Sequence, residues 1–191
     1  MLNADLPEWQ QLDTEIKMCN RCRLCGVRRN VVIGRGCLSA QVFFIGEGPG
    51  ENEDIQGQPF VGQAGKLLDL ALAGLMFSED SYYIANIVKC RPPKNRAPLD
   101  DEAEQCLPFL LRQISLMAPK ILVCLGAVAT RYMIGKEFKI SRIRGEWVER
   151  NNQIIMPTFH PAALLRDEDK KVLMWQDLKK IKNRMIMMEA T

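Results

Sequence analysis

Short apolar runs, separated by segments with a helical period, are the feature of this sequence that most constrains its fold. The runs lie at residues 41–46, 82–90 and 120–126 and are rich in branched and aromatic side chains. Their length and composition predict buried strands. Because helices are predicted between them, the chain is predicted to be an α/β protein with a mainly parallel sheet.

The remaining elements follow from local pattern and turn residues. Residues 64–76 carry apolar positions at helical spacing, and Asp100 or Asp101 is a candidate cap for a helix reaching about Met117. The segment 145–160 predicts a hairpin that leads into a last strand, and 169–188 a final amphipathic helix. Residues 46–62 are rich in glycine, proline and acids, and predict a loop.

Composition favours one globular domain over residues 1–191, with residues 1–36 as a cysteine-bearing N-terminal extension. Apolar residues make up 47% and charged residues 26% of the chain, which excludes a disordered polypeptide. The formal net charge is only +3, whereas a protein that binds nucleic acid mainly through bulk attraction to phosphates is usually more basic. Since we find no signal peptide and no membrane-spanning run, we expect a cytoplasmic protein with reduced thiols.

Seven cysteines and a single histidine are the unusual counts in this chain. Cys19, Cys22 and Cys25 form a C-x2-C-x2-C run that opens like a ferredoxin motif, but Arg29 stands where that motif has its fourth cysteine. A zinc ribbon would need a second C-x2-C, which the chain lacks. The run therefore predicts metal binding without fixing the metal.

Cysteines elsewhere in the chain could complete such a site. Cys90 and Cys106 flank a turn-rich loop and, with Cys19 and Cys22, could supply four thiolates from three chain segments. Isolated cysteines are more often small buried apolar residues. We expect Cys124 and Cys37 to be packing residues of this kind.

Three loops are predicted at the carboxyl ends of the strands, where ligands of open α/β sheets bind. They cover residues 46–62, 86–98 and 159–166. Glycines 46 and 48 are spaced as in a dinucleotide loop, but the third glycine is missing and acidic residues surround them, so nucleotide binding is rejected. These loops are predicted to form the functional pocket.

Each loop carries one residue that stands out from its surroundings. Phe60 lies in a polar, glycine-rich segment and could either anchor the loop or stack on a flat ligand. Asn86 interrupts an apolar strand, and its amide could cap backbone or read a donor–acceptor pair on a ligand. His160 follows the last strand, where a lone histidine could be structural or catalytic. Composition and spacing do not choose between these alternatives.

The order and spacing of the motifs resemble the family 4 uracil-DNA glycosylases, the iron–sulfur-containing branch of the uracil-DNA glycosylase superfamily. The resemblance covers roughly residues 15–180. The residues that carry it are the N-terminal C-x2-C, GEGPGENEDIQGQPFVGQAGKLL (46–68), NIVKCRPPKNRAP (86–98), LGAVA (125–129), the RGEW hairpin and FHPAALLR (159–166).

The resemblance implies a three-layer α/β/α fold around a four-stranded parallel sheet. It implies an enzyme of base excision repair that hydrolyses the N-glycosidic bond of deoxyuridine in DNA and leaves an abasic site. It also implies a 4Fe–4S cluster held by Cys19, Cys22, Cys90 and Cys106, with Cys25 leaving open whether Cys22/Cys25 is the N-terminal pair. We expect a monomer that binds uracil-containing DNA, single- or double-stranded, and no membrane.

Within this resemblance, base recognition is expected from three side chains. A base must leave the duplex to be reached. Phe60 would stack on the extruded uracil, and the Asn86 amide would accept from N3–H and donate to O4, the reverse of the cytosine pattern. Glu47 is the candidate wall against the thymine methyl.

The catalytic roles follow from the charges that develop. His160, as a neutral donor, would stabilise the anion forming on uracil O2. Many superfamily members carry an Asp where this chain has Gly48, which would contribute only backbone. Glu47 and Asn95 are therefore the candidates for positioning the attacking water.

The last loop is expected to meet DNA. Leu164 or Leu165 would fill the space left by the extruded base, although packing within a turn is the simpler reading of both. Arg166, with the lysines that follow, would meet phosphates. Two alternatives stay open: a non-catalytic iron–sulfur nucleic-acid-binding module associated with replication or repair, and a zinc enzyme of another α/β class.

Overall fold

The computed structural model describes residues 7–150 and 153–189 and has a six-stranded mixed sheet at its centre. The strand order is β1-β3-β2-β4-β6-β5. The inner four strands run parallel, and the two edge strands pair antiparallel. The strands are β1 (Arg35–Gly36), β2 (Val42–Gly46), β3 (Tyr82–Asn86), β4 (Ile121–Leu125), β5 (Val148–Arg150) and β6 (Gln153–Thr158).

Eight α-helices are found in the described part of the chain, and three single turns of 3-10 helix join them. The helices are α1 (Pro7–Lys17), α2 (Glu51–Gln56), α3 (Gln63–Gly74), α4 (Asp100–Met117), α5 (Gly126–Met133), α6 (Ile140–Ile143), α7 (Pro161–Leu164) and α8 (Asp169–Glu189). The 3-10 turns are Arg23–Gly26, Glu79–Ser81 and Pro93–Asn95. No helix among the described residues has both the length and the apolar content to cross a bilayer.

Side chains of the sheet alternate between two helical layers, as the period of a strand requires. Phe43 and Ile45 of β2 pack with α1, α4 and α5, whereas Val42 and Phe44 pack with α3 and α8. All five residues of β2 and all five of β4 are buried, as expected for strands covered on both faces. The predicted three-layer α/β/α class is therefore confirmed.

The structure corrects several predicted elements. The sheet has two short edge strands beyond the four that the resemblance implies, and one of them, β5, is the first arm of the predicted hairpin. The strand predicted over residues 82–90 ends at Asn86, although the Ile87 and Val88 N–H groups still donate to the Gly46 and Glu47 carbonyls. Residues 51–56, which were predicted to be part of a loop, form the six-residue helix α2.

The start of α4 is also corrected. Its N-cap residue is Leu99. The Glu102 carboxylate caps the N-terminus of the helix by accepting a hydrogen bond from the Leu99 N–H at 2.8 Å. Glu102 therefore does the capping expected of Asp100 or Asp101. The turn predicted at residues 151–152 of the last hairpin lies outside the described residues.

Candidate active site

A cleft of about 600 Å³ opens at the carboxyl ends of β2, β3 and β6. The three predicted loops line it together, as the rule for open α/β sheets requires. Seven of the predicted site residues meet in it: Glu47, Gly48, Phe60, Asn86, Asn95, His160 and Arg166.

Asn86 ends β3 and lies at the bottom of the cleft. Its residue is only 2% exposed, yet its Oδ1 has no hydrogen-bond partner. A buried acceptor without a partner costs about 1–3 kcal/mol. Such an atom, in a cleft, is suited to a donor that a ligand supplies.

Gly46 creates the space in front of this oxygen. A Cβ at Gly46 would collide with Asn86 Oδ1 and lie 2.7 Å from Phe60 Cζ. Any side chain there would therefore fill the gap between the amide and the aromatic ring. The sequence placed Gly46 in a rejected nucleotide motif and in the segment 46–68, but it did not predict that Gly46 makes space for a base.

Phe60 is held in a left-handed backbone conformation, with φ 56°. This conformation is unusual for a bulky residue. It is held by two neighbours: Gly65, where a Cβ would overlap the Phe60 carbonyl, and Glu53, whose Oε1 accepts from Val61 N–H at 2.9 Å and Gly62 N–H at 2.8 Å. Glu53 and Gly65 thus fix the ring, and sequence reasoning assigned neither of them this role.

The rings of Phe60 and His160 face each other obliquely, with centroids 5.6 Å apart and planes at 32°. A base sandwiched between two rings needs about 7 Å, twice the contact distance of carbon atoms. A base therefore fits on one face of Phe60 and not between the two rings.

His160 is the N-cap of α7, and its Nδ1 accepts from the Ala162 N–H at 3.1 Å. Because a backbone N–H always donates, Nδ1 carries no proton and the single ring N–H is at Nε2. Burial lowers the pKa of His160 to about 4, although the Glu53 carboxylate opposes the shift. His160 is therefore a neutral Nε2–H donor at physiological pH.

Glu47 lines the same cleft directly after β2. Burial raises the pKa of its carboxyl, and no described cation or donor offsets that rise. A carboxylate without a counter-ion beside a site of developing positive charge is suited to stabilise that charge or to orient water.

Gly48 and Asn95 differ in how they could serve the cleft. Gly48 can offer only backbone, and a Cβ there would meet Val88 Cγ2 at 2.7 Å. Asn95 is exposed at the rim with φ 54°, and its Oδ1 already accepts from Arg91 Nε at 2.7 Å. Its Nδ2 group is the part available to a ligand.

The two leucines of the last loop are placed differently. Leu164 is 3% exposed and packs in the core with the α3 and α8 side chains, whereas Leu165 is 49% exposed. Arg166 is exposed at the mouth of the cleft. The lysines after it are partly neutralised, since Lys170 Nζ lies 2.7 Å from Asp167 and Lys171 pairs with Glu168.

A second pocket, lined by cysteines, lies between residues 16–28, residues 88–90 and the first half of α4. Its lining includes Cys19, Cys22, Cys25, Cys90 and Cys106. All seven cysteines are free, and Cys124 is fully buried in β4, as predicted for a packing residue.

Two of these sulfurs accept hydrogen bonds from outside the cysteine set. Arg28 donates to Cys90 Sγ at 3.2 Å, and the Lys89 backbone N–H donates to Cys106 Sγ at 3.2 Å. Burial raises the pKa of Cys106 to about 11, with the neighbouring Lys89 and its N–H bond acting the other way. These donors would stabilise negative charge on the two sulfurs if the thiols lost their protons to solvent.

The cysteine-bearing extension also contacts the cleft through α2. The Asp54 carboxylate accepts from the Arg29 N–H at 2.9 Å and the Asn30 N–H at 3.2 Å, and Asn30 Nδ2 donates to the Asp54 carbonyl at 2.8 Å. Since α2 also carries Glu53, the extension supports the loop that holds Phe60.

The family model and the individual relatives that match this chain point to the same family. Residues 33–179 match the family model described as the uracil DNA glycosylase superfamily. A type-4 uracil-DNA glycosylase of Sulfurisphaera tokodaii is 42% identical over 182 residues, covering 91% of this chain and 83% of the relative. Type-4 uracil-DNA glycosylases of Saccharolobus solfataricus and Thermotoga maritima are each 41% identical, covering 88% of this chain and 82% and 90% of those relatives.

The match extends over most of the chain and of each relative, and the motifs it covers are those that line the cleft. The chain therefore belongs to the uracil-DNA glycosylase superfamily and, within it, to the type-4 uracil-DNA glycosylases.

Proposed function

We propose that this protein hydrolyses the N-glycosidic bond of deoxyuridine in DNA, releasing uracil and leaving an abasic site. The observation that carries the proposal is the buried, unpartnered Asn86 Oδ1 at the bottom of the cleft. Family membership supports it, because the relatives are named as uracil-DNA glycosylases.

Uracil would be recognised by hydrogen bonds at the edge of the base and by stacking on its face. Uracil offers an N3–H donor, which suits Asn86 Oδ1, and an O4 acceptor, which suits Nδ2. The Phe60 ring stacks on the base face, and Gly46 leaves the space that the base occupies. Cytosine presents the opposite pattern, so its N3 would face the Asn86 oxygen and be repelled. Glu47 would crowd the methyl of thymine.

Bond cleavage leaves negative charge on uracil and positive charge on the sugar. The His160 Nε2–H donates to uracil O2 as that charge forms, and a neutral donor is sufficient for this. The Glu47 carboxylate, which forms no ion pair among the described residues, stabilises the oxocarbenium-like sugar and orients water towards C1′. Gly48 can offer that water only backbone, because Val88 fills the space beside its Cα, and Asn95 Nδ2 is the second candidate partner of the water.

Binding of DNA is proposed at the rim. Leu165 is exposed and could enter the base stack, whereas Leu164 packs in the core and is not proposed for this role. Arg166 at the cleft mouth is the proposed phosphate contact. With Lys170 and Lys171 paired to acids, phosphate attraction would rest mainly on Arg166.

The cysteine pocket is proposed to hold a 4Fe–4S cluster through Cys19, Cys22, Cys90 and Cys106. A 4Fe–4S cluster takes four cysteine thiolates, which the cysteines lining this pocket can supply. The cluster would serve as a structural tie, because hydrolysis needs no electrons.

Cys19 and Cys22 are preferred over Cys25 as the N-terminal ligands. Both pack against the core cluster that contains Cys90 and Cys106. Cys90→Ser is expected to lose most iron and the absorption near 400 nm, and Cys25→Ser to keep both. Colourless zinc protein after anaerobic purification, or full iron content in Cys90→Ser, would contradict this ligand set.

We also propose that residues 1–191 form one domain that acts as a monomer in the cytoplasm. Leu12 and Ile16 of the extension pack into the main core, which supports a single folding unit. Light scattering coupled to size exclusion tests the oligomeric state, with a mass near 21.7 kDa expected and twice that mass contradicting it.

The function is tested with a labelled single strand that contains one deoxyuridine. Incubation with protein of measured iron content, followed by alkali, should break the strand at uracil and leave matched cytosine and thymine strands intact. DNA binding without a break at uracil would instead identify a non-catalytic module.

A further inference from the structure

Lys89 is a buried lysine that the proposed mechanism does not use. Its residue is 1% exposed, and its Nζ donates to the Asn86 carbonyl at 3.0 Å and to Gln113 Oε1 at 2.6 Å. It therefore contacts the peptide of the residue that reads the base.

The partner of Lys89 is itself held in one orientation. Gln113 of α4 is fully buried, and its Nε2 donates to the Ile33 carbonyl at 3.2 Å. Since one end of this amide must donate, the other end must accept from Lys89. The result is a continuous hydrogen-bonded chain from Ile33 through Gln113 and Lys89 to Asn86.

The main chain of Lys89 is also anchored on both sides. Its N–H donates to Cys106 Sγ at 3.2 Å, and its carbonyl accepts from the Val32 N–H at 2.8 Å. The residue is thus fixed at the cysteine pocket while its side chain reaches back to the end of β3. Burying a charged group is costly unless it is hydrogen-bonded, and an apolar side chain could fill the same volume.

We infer that Lys89 is a positioning residue for uracil recognition, acting through Asn86. The peptide between Asn86 and Ile87 is held from two sides: its N–H donates to the Gly46 carbonyl at 2.9 Å, and its carbonyl accepts from Lys89 Nζ. The hydrogen bond from Nζ fixes the Asn86 peptide at this point, and with it the direction of the amide that faces the cleft. This inference rests on the proposed function.

A double-mutant cycle tests it. Single-turnover rates of uracil release are measured for wild type, Lys89→Met, Asn86→Ala and the double variant, with melting temperature and iron content recorded for each. Lys89→Met is expected to lower the rate by about tenfold to a hundredfold, the effect of losing a hydrogen bond to a charged group. In the Asn86→Ala background, Lys89→Met should lower the rate almost no further. The reason is that the effects of two substitutions do not add when one residue acts through the other.

Gln113→Leu provides a second route if Lys89→Met does not fold. It removes one partner of Nζ on α4 and should give a smaller loss that also vanishes in the Asn86→Ala background. Tyr132→Phe is the control, since it removes only the hydrogen bond to Asp100 Oδ1 on the surface. It should leave the rate unchanged in both backgrounds.

A wild-type rate in Lys89→Met overturns the inference. So does a double variant whose rate is lowered by the full product of the two single-variant losses. Either result is distinct from failure of the proposed function, which would appear as no uracil release by the wild-type protein.

Discussion

Replacing Asn86 by alanine should separate stability from activity, because the main partner of its oxygen is the ligand. In the free protein, Oδ1 is buried without a hydrogen bond, which costs about 1–3 kcal/mol. Removing the amide relieves that cost, and the space it leaves opens to a cleft that water can enter. The free energy of unfolding of Asn86→Ala should therefore equal or exceed that of wild type.

Activity should change in the opposite direction. Loss of one preorganised hydrogen bond to a reacting group typically lowers the rate by about 10²–10³. Asn86 would make two contacts to the base, so the single-turnover rate on uracil-containing DNA should fall by at least about 10².

The assay pairs urea denaturation with single-turnover kinetics on the same preparations. Asn183→Ala, an exposed change on α8 far along the chain from the cleft loops, serves as the matched control and should alter neither quantity. A wild-type rate in Asn86→Ala would refute the recognition role. A marked loss of stability would show that the amide serves the fold and not the ligand.

Three further predictions concern the cleft and its rim. Gly46→Ala should abolish uracil release while the protein stays folded, because the new methyl group collides with Asn86 Oδ1 beside the base site; normal kinetics would contradict this. The pKa of His160 is lowered from 6.5 to about 4, so the unfolded state binds more protons between these values and the unfolding free energy should fall as pH drops from 6.5 towards 4; His160→Gln should flatten that part of the curve measured by urea denaturation. Leu165→Ala should reduce activity on duplex more than on single-stranded DNA with little change in stability, whereas Leu164→Ala should destabilise by about 2–5 kcal/mol; equal melting temperatures for the two would contradict their placement.

The fold class could be predicted from sequence because its signal is local. Runs such as Val42–Gly46 and Ile121–Leu125 are buried on both faces, so they appear as continuous apolar segments between helices. The edge strand Arg35–Gly36 is two residues long, too short to carry a period, whereas the edge strand Val148–Arg150 is the first arm of the predicted hairpin. The cap of α4 was misassigned because Glu102, inside the helix, reaches back to close it.

The candidate site was predictable only as a set of side chains. Asn86 and His160 stand out beside apolar strands, and Phe60 stands out in a polar loop, so their types are visible in the sequence. The parts that position them are not. Gly46 and Gly65 act by lacking a Cβ, which matters only once the chain brings Phe60 against them.

Long-range contacts explain the other omissions. Glu53 reaches the Val61 and Gly62 amides, and Lys89 reaches Gln113 across 24 positions of sequence. Leu164 and Leu165 have the same side chain and adjacent positions, and only the packing of α7 against the core decides which is buried. Sequence pattern alone does not carry that information.

The most direct test of the account is detection of free uracil by mass spectrometry after a single turnover on a deoxyuridine-containing strand. The wild-type protein with its iron bound should release one uracil per strand and no cytosine or thymine from matched strands. Intact DNA and no free uracil, from protein that is folded and carries full iron, would contradict the central claim.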